Sequence, residues 1–193
     1  MTSIASLLAV LIVFALGLSL LVFQGITGVP PMSSSSSEAT DVISLLKQAG
    51  LSDQAMVYDL GCGWGSLVIA LARAFPDARI RGIELSPLPY WVARIRTRNL
   101  PNVFLRRANF FTFDLRDAQA VTSYLMTKQM PRLADFLDRT LKDGTPVVSL
   151  TFWFRERHVA ATRDGPGLRG AVALYYWPAQ FSQNGGELPR CEA

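Results

Sequence analysis

Two carboxylates and a run of glycines are the residues whose types and spacing point most clearly to ligand chemistry. Asp59 lies at the end of an apolar segment and is followed by the pattern G-x-G-x-G at Gly61, Gly63 and Gly65. Glu84 ends the next such segment, at the spacing of about 20 residues typical of a ribose-binding acid. Glycines let the backbone approach a ligand closely, and a carboxylate accepts two hydrogen bonds from a ribose diol. The pattern therefore predicts a nucleoside-containing ligand.

The glycine spacing distinguishes between two kinds of nucleoside cofactor. The nicotinamide fingerprint G-x-G-x-x-G needs a third glycine where this chain has Ser66. Asp59 would also place a negative charge near a pyrophosphate, whereas it suits a cationic cofactor that carries an amino acid. S-adenosylmethionine, with its sulfonium and α-amino groups, is such a molecule. We therefore favour it and keep a nicotinamide oxidoreductase as a distant alternative.

Strands and helices alternate along most of the chain, which predicts an α/β fold with a mostly parallel, Rossmann-like sheet and helices on both faces. A turn signal at Asp164-Gly165 predicts an antiparallel hairpin at one edge of the sheet. The hairpin brings the sheet to seven strands. The predicted strands are 55–60, 78–85, 102–107, 120–126, 145–152, 155–162 and 170–177, and the predicted helices are 41–49, 66–75, 87–99 and 128–141.

The N-terminal part carries an uncharged apolar run over residues 4–23. About 20 such residues span a hydrocarbon core as a helix, so we predict a single-pass transmembrane anchor, with a cleaved signal peptide or a buried core helix as alternatives. The Lys/Arg bias favours a cytoplasmic catalytic part. The predicted organisation is an anchor at 1–25, a Pro/Ser-rich linker at 26–40, a catalytic domain at 41–180 and a polar tail at 181–193. The linker is either a spacer or a segment that folds over the ligand.

Composition excludes several function classes. With 50% hydrophobic and 18% charged residues in a chain of 193, the chain can bury a core, so disorder is excluded as its main state. Two cysteines, Cys62 and Cys191, do not make a disulfide scaffold, and one histidine, His158, does not make a His-rich metal site. The net charge of +4 does not by itself imply nucleic acid. We expect no metal and no nucleic-acid partner.

The segments VYDLGCGWGSLVIALA and RGIELSP resemble the class I S-adenosylmethionine-dependent methyltransferases. The resemblance covers residues 41–152 and implies the seven-stranded methyltransferase sheet. A narrower resemblance, carried by RGIELSPLPYWVARIR, NVFLRRANFFTFDLRDAQAVTSYLM and LKDGTPVVSLTF, is to the small membrane-anchored family that includes the mitochondrial lysine methyltransferase of the ATP synthase c subunit. Trp64 departs from that family, which has an aspartate in this place.

The resemblance implies roles for particular residues. Asp59 and the glycine backbone would hold the methionine end of the cofactor, and Glu84 would bind the ribose hydroxyls. Asn109 stands where the wider class has an aspartate near the adenine amino group, and Phe110 would cover the adenine ring. The complete set of predicted cofactor-binding residues is Asp59, Gly61, Cys62, Gly63, Gly65, Glu84, Leu85, Asn109 and Phe110.

Tyr124, at the end of the fourth predicted strand, is the candidate catalytic residue, because its hydroxyl or ring face would orient an amine. The alternative is a strand residue that packs under a helix. We expect the acceptor to be a protein lysine at or near the membrane. A small-molecule or lipid methyltransferase, and a cofactor-binding module without catalysis, remain alternatives.

Overall fold

The computed structural model describes residues 3–27, 35–155, 157–163 and 171–179. Seven strands form one sheet in the order β3-β2-β1-β4-β5-β7-β6. The strands are β1 (Met56–Leu60), β2 (Arg79–Glu84), β3 (Val103–Arg107), β4 (Ala120–Ser123), β5 (Thr145–Leu150), β6 (Ala161–Arg163) and β7 (Val172–Trp177). The helices are α1 (Ile4–Thr27), α2 (Ser36–Gln48), α3 (Ser66–Ala74), α4 (Pro87–Thr97) and α5 (Met130–Thr140).

Strands β1 to β5 pair in parallel, and β7 pairs antiparallel with both β5 and β6. The predicted seven-stranded sheet with an antiparallel edge is therefore confirmed. The chain runs from β1 outward through β2 and β3, then returns to place β4 on the other side of β1. This reversal makes a topological switch point between β1 and β4, where sheets of this kind bind ligands at the carboxyl ends of their strands.

Two hydrophobic clusters fill the space on the two faces of the sheet. One combines side chains of α2 and α3, such as Leu45 and Leu71, with strand residues such as Val57. The other combines side chains of α5, such as Leu133, with Tyr58 and further strand residues. Neighbouring strand residues enter opposite clusters because side chains alternate across a strand. The α2/α3 face and the α5 face are thus both buried.

Helix α2 begins at Ser36, earlier than the start predicted at Asp41. The Ser35 hydroxyl accepts a hydrogen bond from the Glu38 N–H at 3.2 Å, and the Glu38 carboxylate accepts one from the Ser35 N–H at 2.6 Å. This reciprocal capping box satisfies two N–H groups that the first turn leaves free. Residues 36–40, assigned in the prediction to the linker, are therefore helical.

Helix α1 covers the apolar N-terminal run and contacts α4. Across the described residues, however, no helix combines the length and the apolar character that crossing a membrane requires. This finding contradicts the predicted transmembrane anchor, and the predicted single-pass membrane location is wrong.

Two predicted strands differ from the observed ones by three residues or more at one end. The fourth strand ends at Ser123, so Tyr124 lies in the connection that follows it. The first strand of the hairpin forms only over Ala161–Arg163, rather than from residue 155. The tip of the hairpin at Asp164-Gly165, residues 28–34 of the predicted linker and the predicted tail lie outside the described residues.

Candidate functional site

The glycine loop between β1 and α3 is held close to β2 and to the connection after β4. Gly61, Gly63 and Gly65 all have φ in the left-handed range, at 77°, 51° and 79°. The Gly61 N–H donates to the Ile83 carbonyl at 2.9 Å. A Cβ placed on Gly61 would lie 3.1 Å from the Leu125 side chain. Glycine is therefore needed there both for the backbone conformation and for the close approach.

Asp59 is a buried carboxylate at the switch point. It is 3% exposed, and its Oδ1 accepts a hydrogen bond from the Thr122 hydroxyl of β4 at 2.9 Å. Burial raises the pKa of Asp59 to about 7, with the Glu84 charge adding to the rise and the Thr122 hydrogen bond opposing it. A carboxylate buried with one hydroxyl partner is stabilised by a cationic ligand, because the ligand replaces the lost hydration.

Glu84 links the end of β2 to the glycine loop. Its Oε2 accepts from the Gly63 N–H at 2.9 Å, and its Oε1 accepts from the Ser86 N–H at 2.7 Å. Each oxygen has a further lone pair, so the oriented carboxylate can still accept from a diol. Asp59 is the penultimate residue of β1, and Glu84 is the last residue of the adjacent strand β2. The structure thus brings the two predicted acids to the same edge of the sheet.

The remaining predicted cofactor residues lie along the same edge of the sheet. Leu85 is exposed next to Glu84. Asn109 caps a short 3-10 helix at Phe110–Thr112, where its side-chain oxygen accepts from the Phe111 N–H. Phe110 is half-buried and packs against Phe111, with the ring centroids 4.3 Å apart and the ring planes tilted by 43°. These positions follow β3 directly, so they continue the line of strand ends from β1 and β2.

The Cys62 side chain turns into the core beneath the loop, so only its backbone is available to a ligand. The side chain belongs to the cluster on the α2/α3 face, and a Cβ on Gly82 would lie 2.9 Å from the thiol sulfur. Burial raises the pKa of Cys62 well above its ordinary value. The thiol therefore stays protonated at neutral pH, as expected of a small structural loop residue.

Tyr124 is half-buried and packs against the cluster on the α2/α3 face. It directly precedes Leu125, the residue that touches Gly61, so the connection after β4 lies against the glycine loop. His158, in contrast, is exposed before β6. No group of three or more His, Cys, Asp or Glu residues suited to a metal ion occurs within the described part of the chain.

Two residues at this site were not identified from the sequence. Thr122 binds the Asp59 carboxylate, and Arg96 of α4 donates to the Trp64 carbonyl in the glycine loop at 2.7 Å. The sequence of β4 does not indicate that the Thr122 hydroxyl would bind Asp59. Arg96 belongs to a run of arginines that the pattern alone assigns to a solvated helix face.

Comparison with known proteins agrees with this geometry. Residues 59–160, about half of the chain, match the ANTKMT methyltransferase domain. The chain belongs to this methyltransferase family. The match begins at Asp59 and includes the glycine loop, Glu84 and Tyr124. The predicted methyltransferase class and enzymatic activity are therefore confirmed, and a non-catalytic module and a nicotinamide oxidoreductase are no longer supported.

Individual relatives of this methyltransferase include proteins with different acceptors. A protein-lysine N-methyltransferase of Saccharolobus islandicus is 32% identical over an alignment of 137 residues that covers 68% of this chain and 84% of the relative. An RNA methyltransferase from Salinibacter ruber, solved with S-adenosyl-L-homocysteine, is similar in structure with a TM-score of 0.69 and 28% identity, over 81% of this chain and all of the other. A precorrin-6y C5,15-methyltransferase from Geobacter metallireducens shares the fold, with a TM-score of 0.55, 20% identity, and coverage of 75% and 89%.

Proposed function

We propose that this methyltransferase transfers a methyl group from S-adenosylmethionine to the side-chain amine of a protein lysine. The observation that carries the lysine assignment is the similarity to a protein-lysine N-methyltransferase over 84% of that relative's length. The methyl donor itself is S-adenosylmethionine, as predicted. When bound, it presents a methyl carbon to the acceptor, and the C–S bond breaks onto sulfur as the new C–N bond forms.

The acids and the glycine loop would hold this donor. The buried Asp59 carboxylate fits the cationic amino-acid end, because burial without a cation already raises its pKa to about 7. The Glu84 oxygens, fixed by the Gly63 and Ser86 N–H groups, fit the ribose diol. Asn109 and Phe110, after β3, would lie at the adenine end. Each side chain would thus act by binding and orienting rather than by bonding to the methyl group.

The acceptor side requires an uncharged amine in line with the methyl group. A lysine has an ordinary pKa of about 10.4, so its proton must leave before the nitrogen lone pair can attack. A site with little water lowers that pKa, because desolvation disfavours the ammonium form. Tyr124, beside the glycine loop, would orient the amine through its hydroxyl or ring face. Alignment and exclusion of water would then provide most of the rate acceleration.

The test identifies the acceptor by where the label goes. The full chain is incubated with methyl-tritiated S-adenosylmethionine and a whole-cell extract, with the Asp59→Ala variant as the control. Protein-bound label that co-elutes with methylated lysine after acid hydrolysis supports the proposal. Label released by ribonuclease would instead assign an RNA acceptor, which the similarity to the Salinibacter ruber enzyme makes the second candidate. Label in an organic extract would assign a lipid or small-molecule acceptor.

A further inference from the structure

A strained turn follows β5 at the edge of the sheet where the cofactor residues lie. Thr151 is the one non-glycine residue of the described chain with φ in the left-handed range, at 63°. The Phe152 N–H donates to the Leu150 carbonyl at 2.6 Å, which closes a γ-turn centred on Thr151. Such turns are rare and strained, and a β-branched residue at positive φ is an outlier.

The surrounding structure holds this turn in place. The Thr151 N–H donates to the Ala171 carbonyl at 2.8 Å, and the Ser149 hydroxyl donates to the Phe152 carbonyl. Strain of this kind persists where neighbouring contacts over-determine it, often at ligand sites. Neither contact uses the Thr151 hydroxyl, so the turn is fixed while the side chain stays available.

Three buried polar groups at this edge have no hydrogen-bond partner among the described residues: the Ser123 hydroxyl, the Thr151 hydroxyl and the Trp153 indole N–H. Most buried polar groups in native proteins are paired, because an unpaired one has lost its hydration without gaining a partner. What distinguishes these three groups is that they lie at or just after the ends of the adjacent strands β4 and β5, where a ligand could pair with them.

The strand register places these groups together. Ser123, the last residue of β4, is paired with Leu60 of β1 and with Ser149 of β5. Residues in register point to the same side of a sheet, and Leu60 belongs to the cluster on the α5 face. Trp153 packs against that same cluster. Ser123 and Trp153 thus share one face, at the strand ends next to the glycine loop, with the Thr151 turn between β5 and Trp153.

We propose that Ser123, Thr151 and Trp153 form the subsite that positions the acceptor. One hydroxyl accepts a hydrogen bond from the acceptor nitrogen and the other pairs with a neighbouring polar group of the acceptor. The indole N–H donates to a carbonyl oxygen of the acceptor, since an indole N–H is a donor only. The group recognised thus carries an N–H and a carbonyl oxygen, as a lysine within a peptide does. This assignment deepens the proposed function and rests on it for the identity of the acceptor.

The first test observes the indole directly. The full chain, saturated with S-adenosylhomocysteine, is titrated with Nα-acetyl-lysine methylamide while the Trp indole N–H resonances are recorded by NMR. The Trp153 resonance, assigned by its loss in Trp153→Phe, is expected to shift. The Trp177 indole N–H is equally buried and unpartnered among the described residues but lies at the other end of β7, so it should not shift.

A second titration, with a mixture of the four ribonucleosides, distinguishes failure of the proposed subsite from failure of the proposed lysine acceptor. A Trp153 shift with nucleosides but not with the lysine derivative would keep the subsite and reject the lysine acceptor. The absence of a Trp153 shift with both probes at saturation would overturn the subsite.

Substitutions test the hydroxyls. Thr151→Val keeps the β-branched shape and removes the hydroxyl. We expect its KM for the acceptor protein to rise about tenfold, with the Kd for S-adenosylmethionine unchanged. Thr151→Gly removes the hydroxyl and relieves the positive-φ strain, and it should weaken acceptor binding as Thr151→Val does. A Thr151→Val enzyme with a normal acceptor KM would show that the turn is structural only.

Discussion

The Glu84 carboxylate accepts a hydrogen bond from the Gly63 N–H at 2.9 Å, which attaches the acid at the end of β2 to the glycine loop after β1. Its second oxygen is held by the Ser86 N–H at 2.7 Å. The acid therefore has two tasks, because it shapes the loop and also presents lone pairs to a ligand. A substitution in the glycine loop and a substitution of Glu84 are therefore both expected to weaken ligand binding.

Substitution of Glu84 should weaken donor binding strongly. Glu84→Gln replaces one acceptor oxygen with an NH2 group that faces a backbone N–H, so one hydrogen bond becomes a repulsive contact. We expect the Kd for S-adenosylmethionine, measured by calorimetry, to rise about tenfold or more, which is roughly 1.4 kcal/mol. Asp53→Asn, at an exposed acid, is the control and should leave the Kd unchanged. An unaltered Kd in Glu84→Gln would remove this acid from the site.

Donor affinity should fall as the pH is lowered through 7. The pKa of Asp59 is raised to about 7 by burial, so the ligand-free protein holds this carboxyl mostly neutral at pH 6 and mostly ionised at pH 8. A cationic donor binds the ionised form, and protons therefore compete with it. We expect the Kd at pH 6 to be about tenfold higher than at pH 8, measured by calorimetry at constant ionic strength.

Two variants show whether Asp59 is the group responsible for that pH dependence. Asp59→Asn cannot ionise, so its weakened binding should be flat between pH 6 and 8. Thr122→Val removes the hydroxyl that donates to Asp59 at 2.9 Å and lowers its pKa. The midpoint of the pH dependence should therefore move to higher pH. A slope that persists in Asp59→Asn would assign the titration to another group.

Gly65 should tolerate alanine less well than Gly50, although both have positive φ, at 79° and 73°. An alanine in this conformation costs about 1–2 kcal/mol at either position. At Gly65 the new Cβ would also lie 3.0 Å from the Ala93 Cβ, whereas at Gly50 nothing lies within 4 Å. We expect Gly65→Ala to lower the free energy of unfolding by about 1 kcal/mol or more beyond Gly50→Ala in urea titrations. Equal losses would show that α4 moves away freely.

Tyr124→Phe should slow methyl transfer and leave donor binding intact. The hydroxyl is proposed to orient the acceptor amine, while the ring that packs against the core is retained. We expect kcat/KM for the acceptor to fall about tenfold, the worth of one hydrogen bond. Tyr176→Phe, at an exposed tyrosine of β7, is the matched control. Equal activity of both variants would show that Tyr124 serves only in packing.

Much of the fold could be predicted from local pattern. The apolar segments that became β1 and β2, and the glycine signal between β1 and α3, fall within one or two residues of the observed elements. The capping box at Ser35 and Glu38 matches the pattern S-x-x-E, which is typical of a helix N-terminus. A strand that is buried on both faces has a continuous apolar sequence, and such a run is easy to recognise.

The sequence by itself determined the order of elements, the two acids, the glycine loop and hence the class of donor, because these depend on residue type and short spacing. The tertiary structure alone decided that Thr122 binds Asp59, that Leu125 touches Gly61, and that the chain turns sharply at Thr151. Each of these depends on how β1, β4 and β5 are aligned side by side. That register is set by packing between segments far apart in the chain. The turn at Thr151 could not be predicted locally, because threonine is not one of the residue types that favour turns of positive φ.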